Sequence, residues 1–336
     1  MAQQDGDLLV VSADPFNAET RLERQLGVVT PVGRHYVRDH FPLPEPPDRL
    51  VVDGEVSEPL TFTLSEVRAM PARSLFVTLE CAGNGRSYLE PRVPGEQWST
   101  GAVGTAEWTG VPLVAAMERA GVRATATELL FTGADRGVVA GRHIAYERSL
   151  PIDYASRGVA LLAYAMNGED LTAQHGAPLR LVVPGWYGVA SVKWLTRITA
   201  IPRPFRGFYQ AERYVIDGAP LRQVEPRAVI TWPADGAALE RGRVHVRGYA
   251  WSGRSPLQGV EVSSDGGSRW ALAALGPEIS PYAWRTWEYE WSPVSPGDQV
   301  LAARALDADG AQPWAERWTA LGYANNAVRP VRVRVL

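Results

Sequence analysis

The chain holds a single cysteine, Cys81, and its surroundings suit chemistry. It follows the apolar run Leu75-Phe76-Val77-Thr78-Leu79 and opens the turn Cys81-Ala82-Gly83-Asn84-Gly85-Arg86. Such a run predicts a strand, and glycines at its end let backbone approach a ligand closely. A free thiol titrates near ~8.5, and a neighbouring guanidinium such as Arg86 favours the thiolate. A thiolate is a soft ligand, suited to a soft or high-valent metal. Taken alone, one cysteine is as readily a small buried hydrophobe. A lone cysteine also excludes an intrachain disulfide and every multi-cysteine zinc or iron–sulfur site. A metal at Cys81 would therefore need other ligands from a cofactor.

Lys193 is the second singular residue: among 34 basic residues it is the only lysine. Codon bias in a GC-rich genome explains an excess of arginine. A surviving lysine is still notable, because the two cations are not interchangeable at a tight site. Histidines and arginines also cluster in Arg34-His35-Tyr36-Val37-Arg38-Asp39-His40-Phe41. His175 and Arg180 bracket Gly176-Ala177-Pro178-Leu179. Each of these, alone, is an ordinary turn or surface residue. Several familiar motifs are absent: a Walker A loop, a complete dinucleotide fingerprint (position 88 is tyrosine), His-Glu-x-x-His, an EF-hand loop and a Gly-x-Ser-x-Gly elbow.

Four stretches together resemble the sulfite oxidase family of molybdenum enzymes. They are Phe16-Asn17-Ala18-Glu19; Tyr36 to His40; the Cys81–Arg86 turn with Trp98-Ser99-Thr100-Gly101; and His175 to Arg180, running on through Pro184-Gly185-Trp186-Tyr187-Gly188 to Ser191-Val192-Lys193-Trp194-Leu195. Gly248 to Gly253 and Ser264 to Gly267 resemble its C-terminal domain. The resemblance implies molybdenum held by Cys81 and by the dithiolene of one molybdopterin per chain. It implies pterin and phosphate contacts from Tyr36, Arg38, His40, Asp135, His175, Arg180, Ser191 and Lys193. Arg38, Arg86, Trp98 and Tyr214 match residues lining the family's anion pocket. Gly85 and Leu321 stand where family members carry arginines. Their absence implies weaker binding of a small dianion, or a different substrate, and Leu321→Arg is then expected to lower the Michaelis constant for sulfite.

The implied activity is oxidation of sulfite to sulfate, with an external electron acceptor (a cytochrome or oxygen) and no haem in this chain. The alternatives are the same cofactor acting on nitrate or an S- or N-oxide, and, more remotely, a non-enzymatic binding protein in which Cys81 is inert.

The elements that must position these residues follow from length and pattern. The chain has 336 residues, enough for about two domains. Hydrophobic residues make up 46% and charged residues 21%, as in an average soluble protein. A net charge of -3 gives no field for non-specific nucleic-acid or membrane binding. Residues 1–50 read as an arm broken by prolines. Leu113–Ala120 reads as a short amphipathic helix ended by Gly121, Leu179–Val183 as a buried strand, and Ser191–Thr199 as apolar and β-branched.

From about Pro226 the pattern turns to period 2, as in Val244-His245-Val246, Val260-Glu261-Val262, Trp287 to Trp291 and Val331 to Val335. Roughly seven short strands over ~110 residues predict an immunoglobulin-like β-sandwich. The fold class is therefore α+β: a mixed molybdopterin-binding catalytic domain over residues 1–222, then a sandwich dimerisation domain over 223–336. Seven tryptophans of the second domain (Trp251, Trp270, Trp284, Trp287, Trp291, Trp314, Trp318) suggest a homodimer interface. The start, Met1 to Asp7, has no basic or apolar leader, and the longest apolar stretch, Gly158–Met166, is far below the ~20 residues of a membrane helix. That predicts a cytoplasmic protein without membrane insertion, or a periplasmic one if a targeting segment was removed.

Overall fold

The computed structural model describes residues 7–336, so the reading of Met1 to Gly6 as leaderless lies outside the described residues. Three sheets and the two-stranded ribbon Val215–Ile216/Ala219–Pro220 build the first part. Leu8–Ala13, Phe16–Thr20 and Val37–Arg38 form an antiparallel three-stranded sheet, giving the proline-broken arm a structured base. Arg73–Glu80 pairs along its full length with Val103–Pro112, which in turn pairs with Leu161–Met166. The short strand Arg180–Val182 pairs with Leu161–Met166, bringing Cys81 and Arg180 into one sheet. The third sheet runs Leu60–Thr63, Arg49–Gly54, Leu195–Ile201, Glu128–Val139, Arg142–Pro151, with Arg49–Gly54 parallel to Leu195–Ile201.

Helices are short, as the glycine and proline content requires. Leu64–Arg68 starts on a reciprocal cap in which the Thr63 side chain accepts from Glu66 N–H and Glu66 accepts from Thr63 N–H. Leu113–Ala120 buries Leu113, Ala116, Met117 and Ala120 and stops at Gly121 in the left-handed region, as the sequence predicts. Ser191–Thr199 differs from a plain strand. Gly188–Ala190 is a 3-10 turn, and the strand starts only at Leu195. Local polar contacts compete with the ladder there: Ser191 Oγ accepts from Val183 N–H at 3.0 Å, Lys193 turns to Asp39, and Trp194 takes φ 47°.

The second part is a sandwich. One sheet runs Arg227–Trp232, Val244–Trp251, Arg285–Trp291, Ala274–Leu275. The other runs Ala237–Leu239, Val331–Val335, Gly297–Asp307, Gly259–Ser263, Ala271–Leu272, with Gly310–Ala311 paired to Gly297–Asp307. Inward residues such as Val246, Val260, Val262, Trp287, Leu301 and Val333 form its core. The tryptophans distribute differently from the expectation of a reserved interface. Trp287 and Trp291 fill the sandwich, while Trp251 and Trp284 join the apolar core shared with the first part. Of those seven, Trp314 and Trp318 are exposed, at 47% and 49%, and outside them so is Trp232, at 46%. Among the described residues, no helix is long and apolar enough to cross a membrane.

Candidate active site

The cavity that receives Cys81 opens where the three small sheets meet, and it encloses about 640 Å³ of space partly open to solvent. Each wall comes from a separate segment. Tyr36, Arg38 and His40 follow from the Val37–Arg38 strand, and Cys81 and Ala82 from the end of Arg73–Glu80. Asp135 and Tyr146 come from the long hairpin Glu128–Val139/Arg142–Pro151. His175, Arg180, Ser191 and Lys193 come from the loops around Arg180–Val182, and Tyr214 from the segment before the Val215–Ile216 strand. Of the residues singled out in the sequence, all these line one cavity. Arg86 and Trp98 are not part of its lining.

The Cys81 turn is built by Asn84. Its Nδ2 donates to Glu80 Oε1 at 2.9 Å and to Thr100 O at 3.3 Å, and its Oδ1 accepts from Ala102 N–H at 3.1 Å. A Cβ at Gly83 would sit 2.5 Å from the Arg86 guanidinium folded over it, so any side chain there would displace Arg86. The Cys81 thiol corrects a sequence expectation: burial pushes its pKa up, and Arg38 and Arg86 only partly oppose this. Without a metal, Cys81 is therefore a thiol rather than a thiolate.

The cationic wall is strongly held. Lys193 Nζ donates to the buried Asp39 carboxylate and to Gln174 O, the latter at 2.8 Å. Arg180 donates to His175 O at 2.9 Å and Ser191 O at 3.2 Å, and lies over the Trp108 ring. Burial lowers Lys193, and lowers Arg180 to about 10. His35 and His175 meet edge to face with ring centroids 5.3 Å apart. Burial drives His175 well below its usual value and His35 to about 4, so both are neutral. Asp135 is raised to about 7 by burial, with Lys193 pulling it back down. Asp39 and the ring of His35 were inside quoted motifs but had no assigned role. Tyr146 and Gln174 carried no signal, since one sits in an ordinary strand and the other in a polar loop.

These groups fit an anionic, hydrogen-bonding cofactor. Asp135 Oδ1, Arg180 Nε and His35 Nε2 are buried without a protein partner around the same cavity. Buried polar atoms are nearly always satisfied, so their grouping here suits a polar ligand. Among the described residues, no three His, Cys, Asp or Glu side chains gather to hold a metal.

Residues 40–209 match the oxidoreductase molybdopterin binding domain, and residues 220–335 match the Mo-co oxidoreductase dimerisation domain. The chain is 37% identical to the mitochondrial sulfite oxidase of Homo sapiens over 98% of its own length. The chain belongs to the sulfite oxidase family. It spans 66% of the length of that human relative. It is also 32% identical to the NADH nitrate reductase of Petunia hybrida, over 96% of this chain and 40% of that protein. The sulfane dehydrogenase SoxCD of Paracoccus pantotrophus superposes with a TM-score of 0.84 at 29% identity, over 96% of this chain and 85% of that one.

Within the sulfite oxidase family frame, the substrate side of the cavity is only partly lined by the expected residues. Arg38 lines it, held by Asn17 Oδ1 at 3.2 Å and the Asp39 carbonyl. Tyr214, at φ 55°, lines it and shares a 2.6 Å hydrogen bond with His40 Nε2. Arg86 is buried, with Nε donating to Leu321 O at 3.1 Å, Nη1 to Glu96 O at 2.8 Å, and Cζ 5.5 Å from the Tyr323 ring centroid. Trp98 is wholly buried in the core beneath Cys81. Leu321 meets Arg86 through its carbonyl, while its side chain packs half-buried against the main core and does not line the cavity. The expectation that Leu321→Arg restores a pocket charge therefore finds no leucine side chain at the cavity to replace. At Gly85, φ is +85° and a Cβ would lie 3.0 Å from Asn325 O, so this backbone disfavours an arginine there.

Sequence reasoning missed Tyr323, which stacks on Tyr214 at 4.7 Å. The only signal was its neighbourhood: it is two residues beyond Leu321.

Proposed function

We propose that the chain is a molybdenum-dependent oxidoreductase that oxidises sulfite to sulfate and passes electrons to an external acceptor. The observation that carries this reading is the Cys81 sulfur at the end of a cavity walled by Arg38, Arg180 and Lys193. Molybdopterin, when bound, supplies two-electron oxygen-atom transfer. This chain's residues do the rest. Lys193, Arg180 and His175 would hold the cofactor's polar groups, and Asp135 would accept from it. Arg38 would draw the oxyanion by charge-assisted hydrogen bonds, and Tyr214 with His40 would orient it. The likeness to sulfite oxidases over 98% of the chain supports the substrate.

One cofactor per chain follows from one cavity with one thiol. A homodimer through residues 223–336 is supported by the dimerisation-domain match. A second reading, reduction of nitrate with the same cofactor, rests on the likeness to the NADH nitrate reductase of Petunia hybrida, 32% identical over 96% of this chain.

Metal analysis together with sulfite-dependent reduction of a one-electron acceptor tests the reading, with nitrate as the parallel substrate. Cys81→Ser should stay folded, because it exchanges one sulfur for an oxygen at a buried cluster that otherwise keeps its packing, but lose turnover, since a hydroxyl is a harder and poorer ligand. Full turnover in that variant overturns the assignment.

A further inference from the structure

The turn that presents Cys81 is gripped from the sandwich. Glu80, immediately before Cys81, is buried with its Oε1 3.0 Å from Arg227 Nε, an ion pair lying off the hydrogen-bonding axis. Trp251 Nε1 donates to Glu80 Oε2 at 2.8 Å. Asn84 Nδ2 donates to Glu80 Oε1 at 2.9 Å, so one carboxylate ties the residue before Cys81 to the far side of the turn. Arg227 Nη2 bridges two carbonyls, Asn84 O at 3.3 Å and Asn325 O at 2.5 Å. Asn325 Nδ2 returns to Gly85 O at 3.0 Å, and Ala324 N–H donates to Ala82 O at 2.8 Å. Glu80, Asn84, Arg227, Trp251 and Asn325 are all nearly without solvent contact. None of the last three touches the cavity, and nothing in the proposed chemistry uses them.

The geometry points to Arg227 as a positioning residue of the metal centre: from the sandwich, it fixes the turn that aims the Cys81 sulfur into the cavity. This rests on the reading of Cys81 as the molybdenum ligand. The physical argument is one of rigidity. The Glu80 carboxylate and the four carbonyls of Ala82, Asn84, Gly85 and Asn325, gathered at the ligand turn inside the protein, must be satisfied together. A planar guanidinium can reach several of them at once, whereas an ammonium is a point charge on a flexible stem. Groups that orient a metal's direct ligand typically change affinity or activity by 10–100-fold when altered.

The test uses full-length, metal-loaded protein with Arg227→Lys, which keeps the charge facing Glu80 but loses the bridge to Asn84 O and Asn325 O. Molybdenum content, the paramagnetic resonance spectrum of the partly reduced metal, kcat, KM and melting temperature are measured. The expected result is a loaded protein with a shifted or split metal spectrum, a kcat lower by about tenfold and a KM for sulfite within about twofold of wild type. A lower melting temperature with an unchanged spectrum and kcat would make Arg227 purely structural and overturn the inference. If Arg227→Lys does not fold, Trp251→Phe removes one donor to Glu80 while keeping the ring. A changed metal spectrum there supports the clamp, and an unchanged one overturns it. Wild-type protein that carries no molybdenum would instead defeat the metal reading on which the inference stands.

Discussion

The two sides of the cavity are organised on different principles. On the cofactor side, Lys193 closes on Asp39, Arg180 on the carbonyls of His175 and Ser191, and His175 on Val32 O at 3.2 Å. All of these partners belong to the first part of the chain. On the substrate side, Arg86 leans on Leu321 O, Tyr214 stacks on Tyr323, and the Cys81 turn is held by Arg227 and Asn325. One wall is fixed by its own neighbourhood and organised before any ligand arrives. The other has partners of its own in Asn17 and His40 but also leans on a second unit. The two walls therefore answer to different parts of the chain.

The sharpest test breaks the self-contained wall. Lys193→Met leaves the Asp39 carboxylate, 2% exposed, without its cation. Removing one partner of a buried pair costs about 3–5 kcal/mol, to be read by urea unfolding, and molybdenum content should fall with it. A loss below about 1 kcal/mol, within the range of an exposed pair, would mean that Asp39 finds another partner and that this wall is not self-contained.

The same wall carries a group that opposes folding until a ligand meets it. Burial holds the Asp135 carboxyl at about 7 in the folded state, against ~3.9 in an unfolded chain. The folded state thus binds the proton more tightly. This favours folding below the unfolded value, and the benefit is lost as pH rises through the folded one. In cofactor-free protein, Asp135→Asn should stabilise by on the order of 2–4 kcal/mol at pH 8, with the difference vanishing below about pH 4. Denaturant midpoints at both pH values check it, and equal effects at both would remove Asp135 from the account.

On the substrate wall, Tyr214→Phe removes the bond to His40 but keeps the ring stacked on Tyr323. A hydrogen bond contributes about 1 kcal/mol, so kcat/KM for sulfite should drop about fivefold with metal content unchanged. A parallel loss of molybdenum would show that the two walls are not separable. Leu321→Arg is the smallest effect. With the side chain outside the cavity, KM for sulfite should move by no more than about twofold. A fall of tenfold would mean that a long arginine threads past Arg86 into the site, returning position 321 to the pocket.

The two walls were also unequally legible. Cys81, His175, Arg180, Ser191 and Lys193 sit in short contiguous stretches that stand out in the sequence, and they converge on one cavity. The alternation in Val331 to Val335 and the stop at Gly121 likewise follow from local periodicity and backbone freedom. The grip of Arg227 on Glu80 and of Tyr323 on Tyr214 had no such signal. An arginine opening a strand and a tyrosine in a loop reveal nothing of a partner far along the chain. Arg86 shows the limit from the other side: its type suggested an anion contact, but the fold points its donors at carbonyls.

The bond from Asn325 Nδ2 to Gly85 O joins residues 240 positions apart. A ribosome releases the Cys81 turn long before it releases the residues that complete it. At ~5–20 residues per second, those 240 residues take on the order of ten to fifty seconds to make. During that interval the first unit is present, with its cysteine on an open turn. Closing so wide a loop adds little entropic cost beyond that of a moderately long one, so the delay is one of synthesis rather than of thermodynamics. The finished thiol pocket is thus a late product of biosynthesis, complete only once Asn325 has reached Gly85.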